Sequence, residues 1–279
     1  MKTPEAISGM IDASPWHLEY LILGHGATKV LAFHGFDNNA EDFKVFSDCY
    51  QDSCTFISVN LFFHGRSQCD LPSDVANFSE EALRSFIDLL CDRLQVDRFL
   101  LLGFSLGGRI CLKIAELFPE KISGMMLLAP DGLRLSRWYR FVTANPMGRM
   151  IFKRTIHHPK RFMKVASWMK SLNLVGEKQY KFAINQFDTE AKRRKVYDVW
   201  MIFRHLIPNK KKLRSTIKQY GYPVEIYFGK RDTIIPSAFG VSLKRRDDNH
   251  ITIHILDAGH QLMQPATVEA IAKLTAILK

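Results

Sequence analysis

A serine placed between two glycines is the residue of this chain best suited to chemistry. Residues 101–108 read Leu-Leu-Gly-Phe-Ser-Leu-Gly-Gly, so Gly103 and Gly107 each stand two places from Ser105. Glycine at both positions lets a buried strand turn sharply into a helix, because a β-carbon there would collide with its neighbours. The serine at the tip of such a turn presents its hydroxyl outward. We therefore predict that Ser105 is a nucleophile.

A serine hydroxyl attacks a carbonyl carbon when a base removes its proton, and that base works best when a third group orients it. Two later segments supply such groups, each directly after a predicted strand. Asp232 follows the apolar run 224–229, and His260 follows the run 251–256. We predict that His260 is the base and that Asp232 orients it.

Other acids and histidines compete for these roles. Asp131 follows the apolar run 125–129 and stays an alternative acid, although it also suits the start of an insertion. The remaining candidates are interpreted as packing, turn or surface residues: Asp37, His157, His158 and His254.

The oxyanion that forms during acyl transfer needs two backbone N–H donors. We predict the amide of Leu106 as one donor, because it directly follows the nucleophile at the positive end of the next helix. The amide of Phe36 is the predicted second donor, since Gly35 allows close backbone approach after an early strand. His34 is interpreted as a residue that shapes this loop by hydrogen bonding.

Short β-rich runs alternate with helical patterns along the chain, which predicts a mostly parallel sheet covered by helices. The predicted strands are 17–23, 29–33, 54–60, 99–103, 125–128, 224–228 and 251–256. The predicted helices are 41–50, 79–94, 109–118 and 267–278.

A strongly basic segment interrupts this alternation. Residues 131–218 hold 22 Lys+Arg against 5 Asp+Glu, whereas the whole chain has a net charge of +11. The segment is rich in aromatic residues and has no convincing strand. We predict a helical lid over 131–218, inserted between two core parts at 1–130 and 219–279.

Composition excludes several other classes of protein. Five cysteines with no C-x-x-C pair indicate free thiols in a reducing compartment, so a cytoplasmic location is expected. No apolar stretch approaches the roughly 18 residues of a membrane span. No metal-ligand spacing and no phosphate-binding glycine loop is visible, so we expect no metal and no cofactor.

Four motifs, in order, resemble those of the α/β-hydrolase superfamily, in the branch that carries a helical lid. They are the oxyanion motif 34–36 (His-Gly-Phe), the nucleophile elbow 103–107, the acid turn 228–232 (Phe-Gly-Lys-Arg-Asp) and the histidine loop 259–260 (Gly-His). The resemblance covers nearly the whole chain except the predicted lid, and it implies the α/β-hydrolase fold.

One further segment departs from the family's pattern. Residues 60–67 resemble a loop usually written D-x-x-G-x-G-x-S, but Asn60 replaces the acid and Phe63 replaces the first glycine. This departure leaves the predicted triad intact.

The resemblance implies a serine hydrolase that cleaves a carboxylic ester. The apolar, aromatic composition of the predicted lid favours a medium or lipid-like acyl group. Serine at the elbow, rather than aspartate, argues against haloalkane dehalogenase or epoxide hydrolase chemistry. One alternative is C–C bond hydrolysis or a menaquinone-pathway elimination on an acidic substrate, because 105–109 (Ser-Leu-Gly-Gly-Arg) resembles the elbow of that enzyme. A non-catalytic binding protein on the same fold is the other alternative.

The charge of the predicted lid has three interpretations: a solvated face, a pocket that selects an acidic substrate, or peripheral attachment to an anionic membrane. Nucleic-acid binding is not expected, since no recognised module accompanies the charge. The interleaved cationic and aromatic residues behind the membrane interpretation are Arg149, Phe152, Lys153, Arg154, Lys160, Arg161, Phe162, Lys164 and Trp168.

Overall fold

A mixed β-sheet organises the chain in a computed structural model that describes residues 7–160, 163–164, 167, 170, 184, 187–244 and 249–278. Its strands in the described residues are β1 (Ile7–Ala13), β2 (Trp16–Leu23), β3 (Thr28–Phe33), β4 (Cys54–Val59), β5 (Gln68–Cys69), β6 (Phe99–Phe104), β7 (Ile122–Leu128), β8 (Val224–Gly229) and β9 (Ile251–Leu256). The spatial order is β1-β2-β4-β3-β6-β7-β8-β9, and β5 pairs with β2.

Strands β3, β4, β6, β7, β8 and β9 pair in parallel, as predicted, while β1, β2 and β5 add an antiparallel part. Strands β4, β6 and β8 are buried along their whole length. Continuous apolar runs of this kind are typical of parallel strands covered on both faces. The loops that follow β3, β6, β8 and β9 all leave the same edge of the sheet, where such folds place their ligands.

The helices begin and end at recognisable signals. Ser79 accepts a hydrogen bond from the Ala82 N–H, and two glutamates follow it in the first turn of the second helix. The described helices are α1 (Lys44–Tyr50), α2 (Glu80–Leu94), α3 (Leu106–Leu117), α4 (Arg137–Ala144), α5 (Pro146–His157), α6 (Glu190–Ile202), α7 (Lys210–Tyr220), α8 (Ala238–Val241) and α9 (Pro265–Leu274).

All seven predicted strands are present, six of them with shifted ends, but β1 and the short β5 were not predicted. The sequence of β1, ISGMIDA, lacks a regular apolar alternation, and the strand forms by pairing along its whole length with β2. The predicted helix 41–50 begins instead as a 3₁₀ turn, Ala40–Phe43, whose start is marked by a capping box of Asn39 and Asp42.

The described chain divides into two compact units. The first comprises Met1–Asp70, Phe78–Arg134 and Leu206–Lys279, and the second comprises Leu71–Asn77 and Leu135–His205. These limits differ from the predicted insertion, 131–218, at both ends. Helix α7 belongs with the first unit because it packs against α3 and because the Asn209 N–H before it donates to Glu116.

The short segment Leu71–Asn77 joins the second unit through its own polar contacts. The buried Arg204 guanidinium donates to the Ala76 carbonyl at 2.7 Å, and the Ser73 hydroxyl donates to Asp198 at 2.5 Å. Among the residues that the structure describes, no helix has the length and apolarity needed to cross a bilayer.

Candidate active site

Ser105 occupies a strained turn between β6 and α3. Its backbone angles are φ 50° and ψ −113°, which residues other than glycine rarely adopt. A β-carbon on Gly103 would come within 2.7 Å of the Cys111 Sγ atom and 2.8 Å of the Gly107 carbonyl oxygen. The turn therefore needs glycine there, as the spacing predicts, and it leaves the serine half-buried at the tip.

A continuous chain of hydrogen bonds joins Ser105, His260 and Asp232. The Nε2 atom of His260 lies 3.0 Å from the serine Oγ atom, and its Nδ1 atom lies 2.7 Å from an oxygen of Asp232. A carboxylate only accepts, so the ring proton sits on Nδ1 and leaves Nε2 to accept the serine proton. The structure thus brings together the three residues predicted from sequence.

Backbone N–H groups hold the side chain of Asp232 in place. Its side chain is fully buried, and its second oxygen accepts from the N–H groups of Ile234 at 2.8 Å and Ile235 at 2.9 Å. The neighbouring loops touch closely, because a β-carbon on Gly229 would overlap the Gly259 carbonyl. These contacts fix the acid relative to the loop that carries the histidine.

Asp131, the alternative acid, has other partners. Its carboxylate pairs with the guanidinium of Arg109, whose side chain is buried, and its N–H donates to the Ser105 carbonyl at 2.8 Å. The structure therefore places Asp232, and not Asp131, on the imidazole of His260.

The loop after β3 lies directly against the predicted nucleophile. A β-carbon on Gly35 would be 3.1 Å from the Ser105 Cβ atom, so only glycine lets the loop approach this closely. Leu106 is the first residue of α3, where an N–H group has no intrahelical acceptor. The roles of the Phe36 and Leu106 amides as oxyanion donors stay predictions.

His34 holds the peptide bond that contains the Phe36 N–H. Its Nε2 atom accepts from the Leu61 N–H at 2.9 Å, so its ring proton sits on Nδ1 and is donated to the Gly35 carbonyl at 2.7 Å. A carbonyl and the following N–H point in opposite directions across a trans peptide. Fixing the Gly35 carbonyl therefore fixes the direction of the Phe36 N–H.

A second histidine, which sequence reasoning missed, binds the same loop from the other side. The His64 Nε2 atom accepts from the Asp37 N–H at 3.3 Å, and its Nδ1 atom donates to the Phe62 carbonyl at 3.0 Å. The rings of His34 and His64 meet edge to face, with centroids 4.8 Å apart. Each loop thus supplies an imidazole that accepts a backbone N–H from the other loop.

The substitution of Asn60 for the family's acid is explained by a neighbour. The Asn60 amide donates to Glu19 at 2.8 Å, and the same carboxylate accepts from the backbone and side chain of Arg66. Burial raises the pKa of Glu19, but the hydrogen bonds from Arg66 and Asn60 outweigh it and lower this pKa overall. The loop therefore keeps a buried carboxylate, supplied from β2 instead of position 60.

Phe63 adopts a backbone conformation that favours glycine. Its φ of 66° lies in the left-handed region, and its N–H donates to the Ser67 carbonyl at 3.1 Å. The loop 60–67 therefore retains its turn without the glycine.

Two of the remaining histidine candidates have other partners. His254 stacks on Tyr227 with ring centroids 4.6 Å apart, and the exposed His157 pairs with Glu190 at 3.0 Å. In the described parts of the chain, no cluster of three or more His, Cys, Asp or Glu side chains is arranged to hold a metal ion.

Comparison with known proteins places the chain in a family. A family model described as the alpha/beta hydrolase fold matches residues 22–263. A putative esterase/lipase of Mycoplasma genitalium is 24% identical over 81% of this chain and 80% of its own length. A putative 2-succinyl-6-hydroxy-2,4-cyclohexadiene-1-carboxylate synthase of Bacillus subtilis is 26% identical, over 37% of this chain and 36% of its own length.

The architecture agrees with that assignment. A thermophilic esterase from Thermogutta terrifontis superimposes with a TM-score of 0.65 over 99% of this chain and all of its own, at 18% identity. That likeness shows the fold, and the family model covers most of the sequence. The chain therefore belongs to the α/β-hydrolase fold family and is a hydrolase.

Proposed function

We propose that the protein is a serine hydrolase that cleaves a carboxylic ester through an acyl-enzyme. The observation that carries the proposal is the hydrogen-bonded chain from the Ser105 Oγ atom through His260 to the buried Asp232, with distances of 3.0 and 2.7 Å. A serine in a strained turn, an imidazole placed to accept its proton and a buried carboxylate behind the ring are the parts that acyl transfer requires.

In the proposed reaction, the Ser105 Oγ atom attacks the ester carbon while its proton moves to the Nε2 atom of His260. The Asp232 carboxylate stabilises the resulting imidazolium, because its burial strengthens the attraction between the two charges. The amides of Leu106 and Phe36 hold the oxyanion. His260 then returns the proton to the leaving alcohol, and water, activated by the same imidazole, releases the acid.

Substitution of the two competing carboxylates tests the triad. Ser105→Ala should abolish hydrolysis of aryl esters, and Asp232→Asn should lower kcat about 10⁴-fold, since the amide favours the wrong tautomer of His260. Asp131→Asn is the matched control, because this carboxylate also follows a strand but pairs with Arg109. Two outcomes would contradict the proposal. One is that folded Ser105→Ala protein still hydrolyses aryl esters. The other is that Asp131→Asn lowers kcat as much as Asp232→Asn does.

The proposed acyl group is medium or lipid-like, which is consistent with a relative described as an esterase/lipase. Rates on aryl esters of increasing acyl length test this part. We expect a maximum beyond acetate, whereas a steady fall from acetate onward would argue against a lipid-like group.

An elimination or C–C hydrolysis on an acidic substrate is the second candidate, favoured by the Bacillus subtilis relative and by the elbow sequence at 105–109. The elbow arginine, Arg109, weakens it, because that guanidinium is 3% exposed and already pairs with Asp131. Turnover of dicarboxylates in preference to aryl esters would support this candidate. A binding protein without turnover would instead leave Ser105 unlabelled by a fluorophosphonate.

A further inference from the structure

The helices α4 and α5 of the second unit are basic, and no acidic residue lies near them in the sequence. They carry five cations, and residues 132–176 contain neither aspartate nor glutamate. Lys153 forms an ion pair with Asp74 at 2.6 Å. The cations of the two helices are Arg137, Arg140, Arg149, Lys153 and Arg154.

Helix α5 is apolar on two faces, and one of them is exposed. Gly148, Phe152 and Ile156 lie on the buried face, spaced as an inward-facing stripe should be. The opposite face presents Met147, Met150 and Ile151, which are 58%, 66% and 42% exposed. Arg154 continues this second stripe at the next helical turn.

Helix α4 adds the same combination of side chains. Trp138 is 54% exposed, and exposed Arg137 and Arg140 flank it. We call the exposed side chains of these two helices the α4–α5 face: Arg137, Trp138, Arg140, Met147, Met150, Ile151 and Arg154.

We propose that the α4–α5 face binds the surface of an anionic phospholipid bilayer. Arginines bind headgroup phosphates, while the methionine, isoleucine and tryptophan side chains enter the boundary between headgroups and acyl chains. A polynucleotide offers phosphates but no apolar layer for the stripe. Pairing this face with that of a second copy would bring like charges together. The membrane interpretation of the sequence thus acquires a defined surface, although Arg161, Phe162 and Trp168 lie outside the described residues.

Vesicle flotation of the full chain tests this inference independently of catalysis when Ser105→Ala protein is used. We expect the Ser105→Ala protein to bind vesicles that contain phosphatidylglycerol and not vesicles of pure phosphatidylcholine. Each basic residue near an anionic surface contributes about fivefold to binding, so Arg140→Glu/Arg154→Glu should weaken it by at least about 25-fold. The matched control is Lys211→Glu/Lys212→Glu on α7, an equal charge change at exposed positions.

The apolar stripe is tested in the same assay. Met150→Gln/Ile151→Gln should also weaken binding, while Leu89→Gln, at an exposed position on α2, should not. Equal binding to both vesicle types, equal losses in the control variants, or preferential binding to duplex DNA would overturn the proposal. A different result for Met150→Gln/Ile151→Gln would also overturn it. If this variant binds vesicles normally, and if with Ser105 retained it shows a raised KM for a soluble ester, the apolar stripe contacts substrate and not the bilayer.

Discussion

At the scale of single residues, the ring of His34 acts on the predicted oxyanion site through one peptide bond. Its two nitrogens have separate tasks, since Nδ1–H holds the Gly35 carbonyl and Nε2 accepts from Leu61. Asparagine can replace the first contact and glutamine the second, because their amide groups reach the positions of Nδ1 and Nε2 respectively.

We predict that His34→Gln lowers kcat for an aryl ester by about 100-fold, as expected when one oxyanion donor is misplaced, with little change in KM. His34→Asn should retain kcat within about tenfold of wild type, because it still restrains the carbonyl. Steady-state kinetics on folded variants distinguish the two. Equal losses in both variants would assign His34 a packing role only.

At the scale of elements, the carboxylate of the loop 60–67 comes from β2. Asn60→Asp would place a second carboxylate about 2.8 Å from that of Glu19. Two buried like charges cannot both ionise without cost, so one would bind a proton on folding. We predict a loss of about 2 kcal/mol or more of unfolding free energy at neutral pH, and a smaller loss in acid, measured by denaturant unfolding.

A charge exchange provides the control for this prediction. Glu19→Gln/Asn60→Asp moves the carboxylate to position 60 and leaves one negative charge in the network. Part of the lost stability should return in this double variant. If the double variant loses more unfolding free energy than the two single variants lose together, like-charge repulsion is not the cause.

The antiparallel edge of the sheet carries a different electrostatic contact. His17 on β2 lies 2.7 Å from Asp12 and 3.0 Å from Asp70, so both of its ring nitrogens face carboxylates. The hydrogen bond to Asp70, followed by that to Asp12, raises the pKa of His17. Folding therefore favours the charged form of His17. This charged form stabilises the folded protein at pH values below the pKa that His17 has in the unfolded chain. The stabilisation is lost as the pH rises through the higher pKa that His17 has in the folded protein.

We predict that His17→Asn destabilises the protein at about pH 6 more than at about pH 9, as measured by unfolding free energies. His25→Asn is a suitable control, because His25 and its partner Asp52 are both largely exposed and their attraction is screened by solvent. A His17→Asn loss independent of pH would contradict this assignment.

At the scale of the molecule, the sequence predicted the parallel sheet and the meeting of Ser105, Asp232 and His260, because each residue directly follows an apolar run and the ends of parallel strands share one edge. Glycine spacing also predicted the turn at Ser105. These are local signals, readable within a few residues.

Features that depend on contacts between residues far apart in the sequence could not be predicted from such local signals. Strand β1 exists through its pairing with β2, and nothing within 60–67 indicates that Glu19 supplies the missing acid. The exchange of hydrogen bonds by His34 and His64 joins loops that are separate in sequence. The limits of the second unit likewise depend on contacts such as that between Arg204 and Ala76, which bring a distant segment into it.

The position of the second unit within the chain has a consequence for biosynthesis. Ser105 precedes its main segment, while His260 follows it, 155 residues later. A ribosome therefore produces the proposed nucleophile long before the base that activates it. Throughout that interval the nascent chain holds Ser105 without the imidazole proposed to activate it, because residue 260 has not yet been added.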